Sequence, residues 1–448
     1  MISKHISLLF SKINKDEEWN KIIKNIFWLF FDKILKLGLG LVVMILLSRH
    51  LQPEDFGLMN YVVSLISLFV AFSALGLNAI IVRDLIQKPN HYKTLGSTFF
   101  LRIIASVFLY IVLIATIYVL RPDDDFSKYL VAVLGFSMFF KSSDVIRYWY
   151  ESKIESKKII ILENGVYVTL AIIKIILIYF KAPLVYFIYV LLMESILSFV
   201  ILFAFYNKKN SLRKWKFDLE RSKELLNDSW PLIISSASWI IYSKTDQIMI
   251  GQLLGDKEVG YYAAASQLSL IMTFIPTAIA FSIIPSILKY RNTDRKLYDS
   301  RFQFIYNLVT TILVVIAISV TFLSPFIIRT LYGELYAPAS DVLRIQFWIV
   351  ILIGLAVVSG RYLVNDNMQK ITMQRHVLGA LINIPLNYFM IEYLGIIGAA
   401  WSSLITLFTV NYLFDFFQKE TRYIFKQKTR AVFFVWLFYP VRNRLIKK

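Results

Sequence analysis

Apolar stretches separated by short polar turns recur along the chain at about residues 26–47, 57–76, 95–119, 129–148, 159–180, 183–206, 230–253, 259–284, 303–325, 341–361, 371–391 and 395–417. Each is long enough to cross a bilayer as a helix, because roughly 30 Å of hydrocarbon takes about 20 residues rising 1.5 Å apiece. The pattern predicts twelve spans. Turn chemistry marks their ends, as in Gln52-Pro53-Glu54-Asp55, the run Arg121-Pro122-Asp123-Asp124-Asp125, Lys181-Ala182-Pro183 and Gly255-Asp256-Lys257-Glu258.

Composition sharpens this picture. The 448 residues are 57% hydrophobic and 18% charged, far from the balance of a soluble domain. A net charge of +19 would suggest nucleic acid in a soluble protein, but here the basic residues fall between the apolar runs. If the N-terminus is cytosolic, 35 of the 49 Lys and Arg fall on that side of the twelve-span map and 6 on the other. Positive charge retained on one side sets topology, so both termini of a multi-pass membrane protein are expected in the cytosol. Nucleic acid is not an expected partner. Cysteine is absent and the four histidines are scattered, so no metal site, disulfide framework or thiolate chemistry is expected.

A duplication is visible around the most basic loop. Residues 207–227 hold Lys208, Lys209, Arg213, Lys214, Lys216, Arg221 and Lys223 and read as a cytosolic linker. They divide an N-terminal half, 1–206, from a C-terminal half, 228–417. A basic amphipathic tail, 418–448, follows and is expected to lie against anionic lipids. Aligning Gly57 with Gly260 sets Leu51 against Leu254 and Asp55 against Glu258, at the same place in each half. Six spans return the chain to its starting side, so this is a parallel six-plus-six repeat, of the kind common in secondary transporters.

Charge inside a span is costly and marks a cavity or pathway unless the side chain can reach an interface. By helix rise, Arg102 lies roughly 10 Å inside span 3, and Lys33 and Lys36 roughly 10 to 15 Å inside span 1. Lys141, Asp144 and Arg147 in span 4 are spaced by three and share a face. This row reads either as a locally satisfied set or as cationic donors for a phosphate. Asp32 and Lys36 are four apart and can neutralise one another, whereas Lys33 points elsewhere. Lys174 and Lys244 carry charge toward the outer half, with Asp246 two residues on, and Glu194 is a counter-ion or a coupling acid. Arg83 follows span 2, where a guanidinium would meet a lipid phosphate. Arg344 and Arg361 read as interfacial. Tyr61, Tyr148, Trp149, Tyr261 and Tyr262 stand where rings would meet sugars.

No GxxxxGK[ST], HExxH or GxSxG motif occurs, and catalytic residues are not expected. The first span leads into Leu47-Ser48-Arg49-His50-Leu51-Gln52-Pro53-Glu54-Asp55-Phe56-Gly57-Leu58-Met59-Asn60-Tyr61. This turn resembles the recurrent "R.L.PE.FG.Y" turn of the Wzx-type polysaccharide (O-antigen) flippases in the multidrug/oligosaccharidyl-lipid/polysaccharide exporter (MATE/MOP) superfamily. Gly255 to Tyr262 is similar to its repeated form. The resemblance implies an all-α membrane protein of about twelve helices in two six-helix lobes around a cavity open alternately to each side. The substrate it implies is an undecaprenyl-pyrophosphate-linked oligosaccharide, with Lys33, Lys36, Arg83, Arg102, Lys141, Arg147, Lys174 and Lys244 as binding residues. Asp32, Asp144, Glu194 and Asp246 are then coupling acids or counter-ions. No cofactor is expected beyond a coupling sodium ion or proton, and polysaccharide polymerase machinery is an expected neighbour. A cation-coupled multidrug exporter of the same superfamily is the alternative, and a membrane-embedded glycosyltransferase or polymerase the different-class one.

Overall fold

A computed structural model of the chain describes residues 17–87, 91–366 and 368–434. Lys4, Lys12 and Lys15 of the basic arm, Lys88, and the chain after 434 with most of the apolar stretch Ala431 to Tyr439 lie outside the described residues.

All regular structure in the described residues is helical. Backbone polar groups in hydrocarbon must be satisfied within the element itself, which leaves the helix as the open-chain solution. In order the helices are α1 (Glu17–Ser73), α2 (Asn78–Gln87), α3 (His91–Leu120), α4 (Asp125–Gly135), α5 (Ser137–Phe140), α6 (Asp144–Ser152), α7 (Ser156–Tyr179), α8 (Leu184–Lys209) and α9 (Leu219–Leu253). They continue as α10 (Asp256–Ile271), α11 (Phe274–Leu288), α12 (Arg295–Tyr332), α13 (Ala339–Asn365), α14 (Gln369–Phe408), α15 (Phe414–Phe417) and α16 (Arg422–Val432).

Among the described residues, nine stretches are long and apolar enough to cross a membrane. The structure is thus an all-α, multi-spanning membrane protein. Two of the nine are far longer than a bilayer needs, Phe27–Gln87 with 61 residues and Gln369–Phe417 with 49. Both are broken where the sequence places turns. Gln52 has φ 59° and ψ 175° immediately before Pro53, and Gly395 has φ 61° and ψ −143°. The helix α9 is not among the nine. Glu220, Arg221, Lys223, Glu224, Asp228, Lys244 and Asp246 dilute its apolar character.

The chain forms two compact units, one of the residues up to His50 with Ile66–Ile233, the other of Leu51–Leu65 with the chain from Ile234. In the first, the predicted fourth span is assembled from α4, α5, a 3-10 turn at Lys141–Ser143, and α6. Leu95, Val145, Ile146, Trp149, Ile159, Leu202 and Tyr206 pack beside it as an apolar core. Phe108 is 65% and Val119 79% exposed on the opposite side of α3, as lipid-facing residues should be. The basic stretch 207–227 is ordered: Asp84, only 2% exposed, takes an ion pair from Arg221, and Lys93 pairs with Asp218 at 2.5 Å.

In the second unit the glycines matched by the repeat lie against one another. A Cβ on Gly57 would stand 1.7 Å from the Asp256 carbonyl oxygen, and one on Gly260 2.0 Å from that of Pro53. Small residues let helix backbones approach, and polar side chains then bind the crossing. Gln252 donates to the Tyr61 hydroxyl at 2.6 Å, and Gln267 to Asn60 at 2.7 Å. The tail helix α16 turns Ile424, Gln427, Lys428 and Ala431 inward. Lys428 is fully buried against Asp415 at 2.8 Å, and Asp415 also pairs with Arg375. The Lys428 ammonium donates to the Asn411 carbonyl within a π-helical turn, Thr409–Leu413. Burial pushes Lys428 down to about 8, Asp415 resisting and the Arg375 charge assisting. This side chain faces protein rather than lipid headgroups.

Gly260→Val is expected to lower the melting temperature of the detergent-solubilised protein sharply, since overpacking costs about 1–3 kcal/mol even before backbone must move. Gly360→Ala, where nothing lies within 4 Å of the added methyl, should leave it the same or slightly higher, since alanine is the better helix former. Fluorescence-detected size exclusion after heating measures both.

Candidate functional site

The first unit encloses a polar chamber of about 450 Å³. Its wall is drawn from several elements: Lys36 on α1, Asn78 on α2, Lys141, Ser143, Asp144, Arg147, Tyr148 and Glu151 on the 3-10 turn and α6, Glu163 and Tyr167 on α7, and Glu194, Ser195 and Ser198 on α8. The 3-10 turn has a local function. It tightens the chain at Lys141–Ser143, and the whole row Lys141, Asp144, Arg147 faces the chamber.

Nearly every charge there is matched. Lys36 pairs with Asp32 at 2.7 Å and lies 4.0 Å from Glu163. Arg147 grips Glu163 with both arms of its guanidinium, Nε to Oε1 at 3.2 Å and Nη2 to Oε2. Arg102 on α3, 2% exposed, stands behind the wall and donates to Asp144 at 2.9 Å. Lys174 lies 3.8 Å from Glu194. Tyr148 donates to Asn78 at 2.6 Å, and Tyr167 to the Lys36 carbonyl at 3.2 Å. Burying an ion without a partner costs several kcal/mol, so a chamber at this depth holds its cations only by supplying acids beside them.

The expected site residues therefore divide. Lys36, Lys141, Arg147, Asp144 and Glu194 line the chamber, and Asp32, Arg102 and Lys174 brace it. Lys33 does not join them; it is exposed and is not part of the chamber wall. Arg83 is half-exposed and held by Asp84 at 3.0 Å and Asp228 at 2.7 Å. Trp149 belongs to the apolar core, and Tyr61 is fully buried. Arg344 pairs with Asp341 at 2.9 Å, and Arg361 lies over the Phe281 ring at 4.4 Å. Glu163, Glu151 and Tyr167 were not expected. The signal was present for Glu163: it precedes Lys174 by eleven residues, three helical turns, on one face of span 5.

Lys244 and Asp246 belong to the second unit, where they line a separate cavity of about 340 Å³. Asp246 is 4% exposed and has an oxygen-rich surround. It accepts from Tyr262 and Ser403 at 2.5 Å each and from Asn387 at 2.6 Å. Asn387 also donates to Asn383 at 2.9 Å, and Gln346 donates to the Tyr262 hydroxyl at 3.1 Å. The paired amides four residues apart in span 11 were the sequence signal for this nest.

A helical bundle with an apolar exterior and charge-lined chambers defines a membrane transporter class, and comparison with known proteins gives the family. The sequence pattern of the polysaccharide biosynthesis protein family matches residues 22–291, more than half of the chain, and that of the MatE family matches residues 231–389. The chain therefore belongs to the polysaccharide biosynthesis protein family. It is 22% identical over 410 residues to the capsular polysaccharide biosynthesis protein CapF of Staphylococcus aureus, covering 89% of this chain and all of that one. Its fold is similar to an inward-facing multidrug resistance MATE family transporter of the MOP superfamily, with TM-score 0.67, 14% identity, and 91% and 99% of the two chains covered. It is equally similar to the lipid II flippase MurJ in an inward closed conformation, with TM-score 0.68, 17% identity, and coverage of 93% and 92%.

Asp144→Asn is expected to destabilise the solubilised protein by about 3 kcal/mol or more, because it strands the buried Arg102 charge. The double change Arg102→Met with Asp144→Asn should recover most of the loss, and a double-mutant cycle of melting temperatures checks it.

Proposed function

We propose that the chain is an alternating-access flippase that carries undecaprenyl-pyrophosphate-linked oligosaccharide repeat units, of O-antigen or a related polysaccharide, from the cytoplasmic to the outer leaflet of a bacterial inner membrane. The observation that carries this reading is the convergence of Lys36, Lys141 and Arg147 from separate elements on one polar chamber. Guanidinium and ammonium groups suit pyrophosphate, and serine and tyrosine hydroxyls beside them suit sugars. The isoprenoid tail would remain in lipid against apolar surfaces such as that around Phe108. CapF's name and the lipid II flippase fold agree with a glycan substrate carried on a lipid.

In this reading 1–206 and 228–417 are two six-span copies, twelve spans in all, joined by 207–227, with both termini cytosolic. Breaking the two long helices at Gln52 and Gly395 and admitting α9 supports that count. Arg83 and the exposed basic residues of the tail 418–448, Arg422, Lys426 and Arg430 among them, would meet anionic lipids, and polysaccharide polymerase machinery would receive the product. Asp246 would take the coupling cation, a sodium ion or a proton, since it is buried among neutral Tyr262, Ser403 and Asn387 donors and no ion pair to it is seen among the described residues.

One observation favours the multidrug-exporter alternative: the chamber's acids, Asp144, Glu151, Glu163 and Glu194, are as prominent in its wall as its cations. Reconstitution into proteoliposomes with defined lipid-linked oligosaccharides and competing organic cations separates the two. Oligosaccharide translocation that falls at least about tenfold in Arg147→Gln and Lys141→Gln is the expected outcome, a tenfold loss corresponding to about 1.4 kcal/mol. Organic-cation export indifferent to both changes would favour the alternative. Asp246→Asn should retain substrate binding and lose gradient-driven transport.

A further inference from the structure

Glu163 occupies the place in the chamber that an anionic ligand would need. Its carboxylate fills the fork of Arg147, and Lys36 on a different helix lies 4.0 Å from the same group. The two-armed grip of a guanidinium on a carboxylate is also its grip on phosphate. The Glu163 side chain is 10% exposed against 36% for Arg147, so the acid seals the deep side of the fork while the guanidinium opens to the chamber.

We infer that Glu163 is an internal stand-in for the ligand's phosphate, and that anion binding in this chamber displaces it with uptake of a proton onto its carboxylate. This rests on the chamber being the anion site. Every wall element bears on the displaced acid. Asp32 and Lys36 face it from α1, Lys141 from the 3-10 turn, and Asp144, Arg147, Tyr148 and Glu151 from α6. Tyr167 and Lys174 accompany it on α7, and Glu194 stands on α8 with its charge already answered by Lys174 at 3.8 Å. Lys36 is held by Asp32 at 2.7 Å and Arg102 by Asp144 at 2.9 Å, so neither is a free replacement partner. Once a phosphate takes Arg147, Glu163 faces the incoming anion with only Lys36 near it, 4.0 Å away and already paired with Asp32. A carboxylate in a low-dielectric wall beside like charge favours its neutral form. The proton comes from water in the chamber, and the ligand arrives into a site whose net charge has become more positive by one.

The consequence is thermodynamic linkage. An anion that binds with one proton binds tighter as pH falls, at most about tenfold per pH unit.

The test is isothermal titration calorimetry of the full chain in detergent, in pairs of buffers with different ionisation heats, using sodium sulfate and inorganic pyrophosphate as probes. Sulfate does not titrate near neutrality, so protons taken up with it belong to the protein. Wild type is expected to bind sulfate with uptake of about one proton and to lose affinity as pH rises from 6 to 8. Glu163→Gln should bind both probes about tenfold more tightly at pH 8 and take up no proton with sulfate. Binding that Arg147→Gln abolishes, but that brings no proton in wild type, overturns the inference and leaves the chamber as the anion site. Weaker binding by a folded Glu163→Gln overturns it equally. No saturable binding, or binding indifferent to Arg147→Gln, overturns the inference together with the chamber reading. If Glu163→Gln does not fold, the wild-type sulfate titration alone decides the proton count.

Discussion

Charge inside hydrocarbon must be answered where it stands, and that constraint organises this protein. Arg102, Arg147, Lys36 and Lys174 are each brought up against a specific acid, Asp144, Glu163, Asp32 and Glu194. The pairs come from different helices in three of these four cases, so satisfying the charge also sets which helices are neighbours and how they are rotated. A pair within one helix, Asp32 with Lys36, holds its register and leaves the ammonium facing Glu163. The chamber is the space left between these pairs.

Much of the fold was legible because the bilayer imposes one period and one length. Apolar runs, acidic turns and the bias of Lys and Arg mark spans whatever their packing. The Gly57 and Gly260 match was legible for a stronger reason: each position admits no Cβ, since a carbonyl oxygen stands within 2.0 Å of where it would be. What the sequence hides is rotation about a helix axis. Lys33 and Lys36 are three apart and similarly deep, yet only Lys36 reaches the chamber wall and Lys33 is exposed. The row Lys141, Asp144, Arg147 was legible because a spacing of three keeps a face in either α or 3-10 geometry.

Glu163 shares a helix face with Lys174, but its partnership with Arg147 was hidden in the sequence. An acid in an apolar run near a span end reads as a boundary residue until Arg147, sixteen residues earlier, is brought against it. Asn383 and Asn387 gave a faint signal, but only folding brings Asp246 and Ser403 to them from other helices. Lys428 went the other way. Its basic, aromatic context suggests a solvated or lipid-facing tail, and it is instead wholly enclosed beside Asp415. The two units thus use the same rule to different ends. The first leaves its paired charges on an open chamber, and the second locks Arg375, Asp415 and Lys428 away while keeping Asp246 among neutral hydrogen-bond donors.

The central claim is that matched charges line a water-filled space at membrane depth. The chain contains no cysteine, so a single introduced thiol reports on its own surroundings. Ser198→Cys, in the chamber wall, and Phe108→Cys, on the apolar outer side of α3, can be exposed in sealed membrane vesicles to a membrane-impermeant thiol reagent. Rapid labelling at 198, slowed by pyrophosphate, with little labelling at 108, is the result this account predicts. Labelling at 198 as slow as at 108, and insensitive to pyrophosphate, would contradict it.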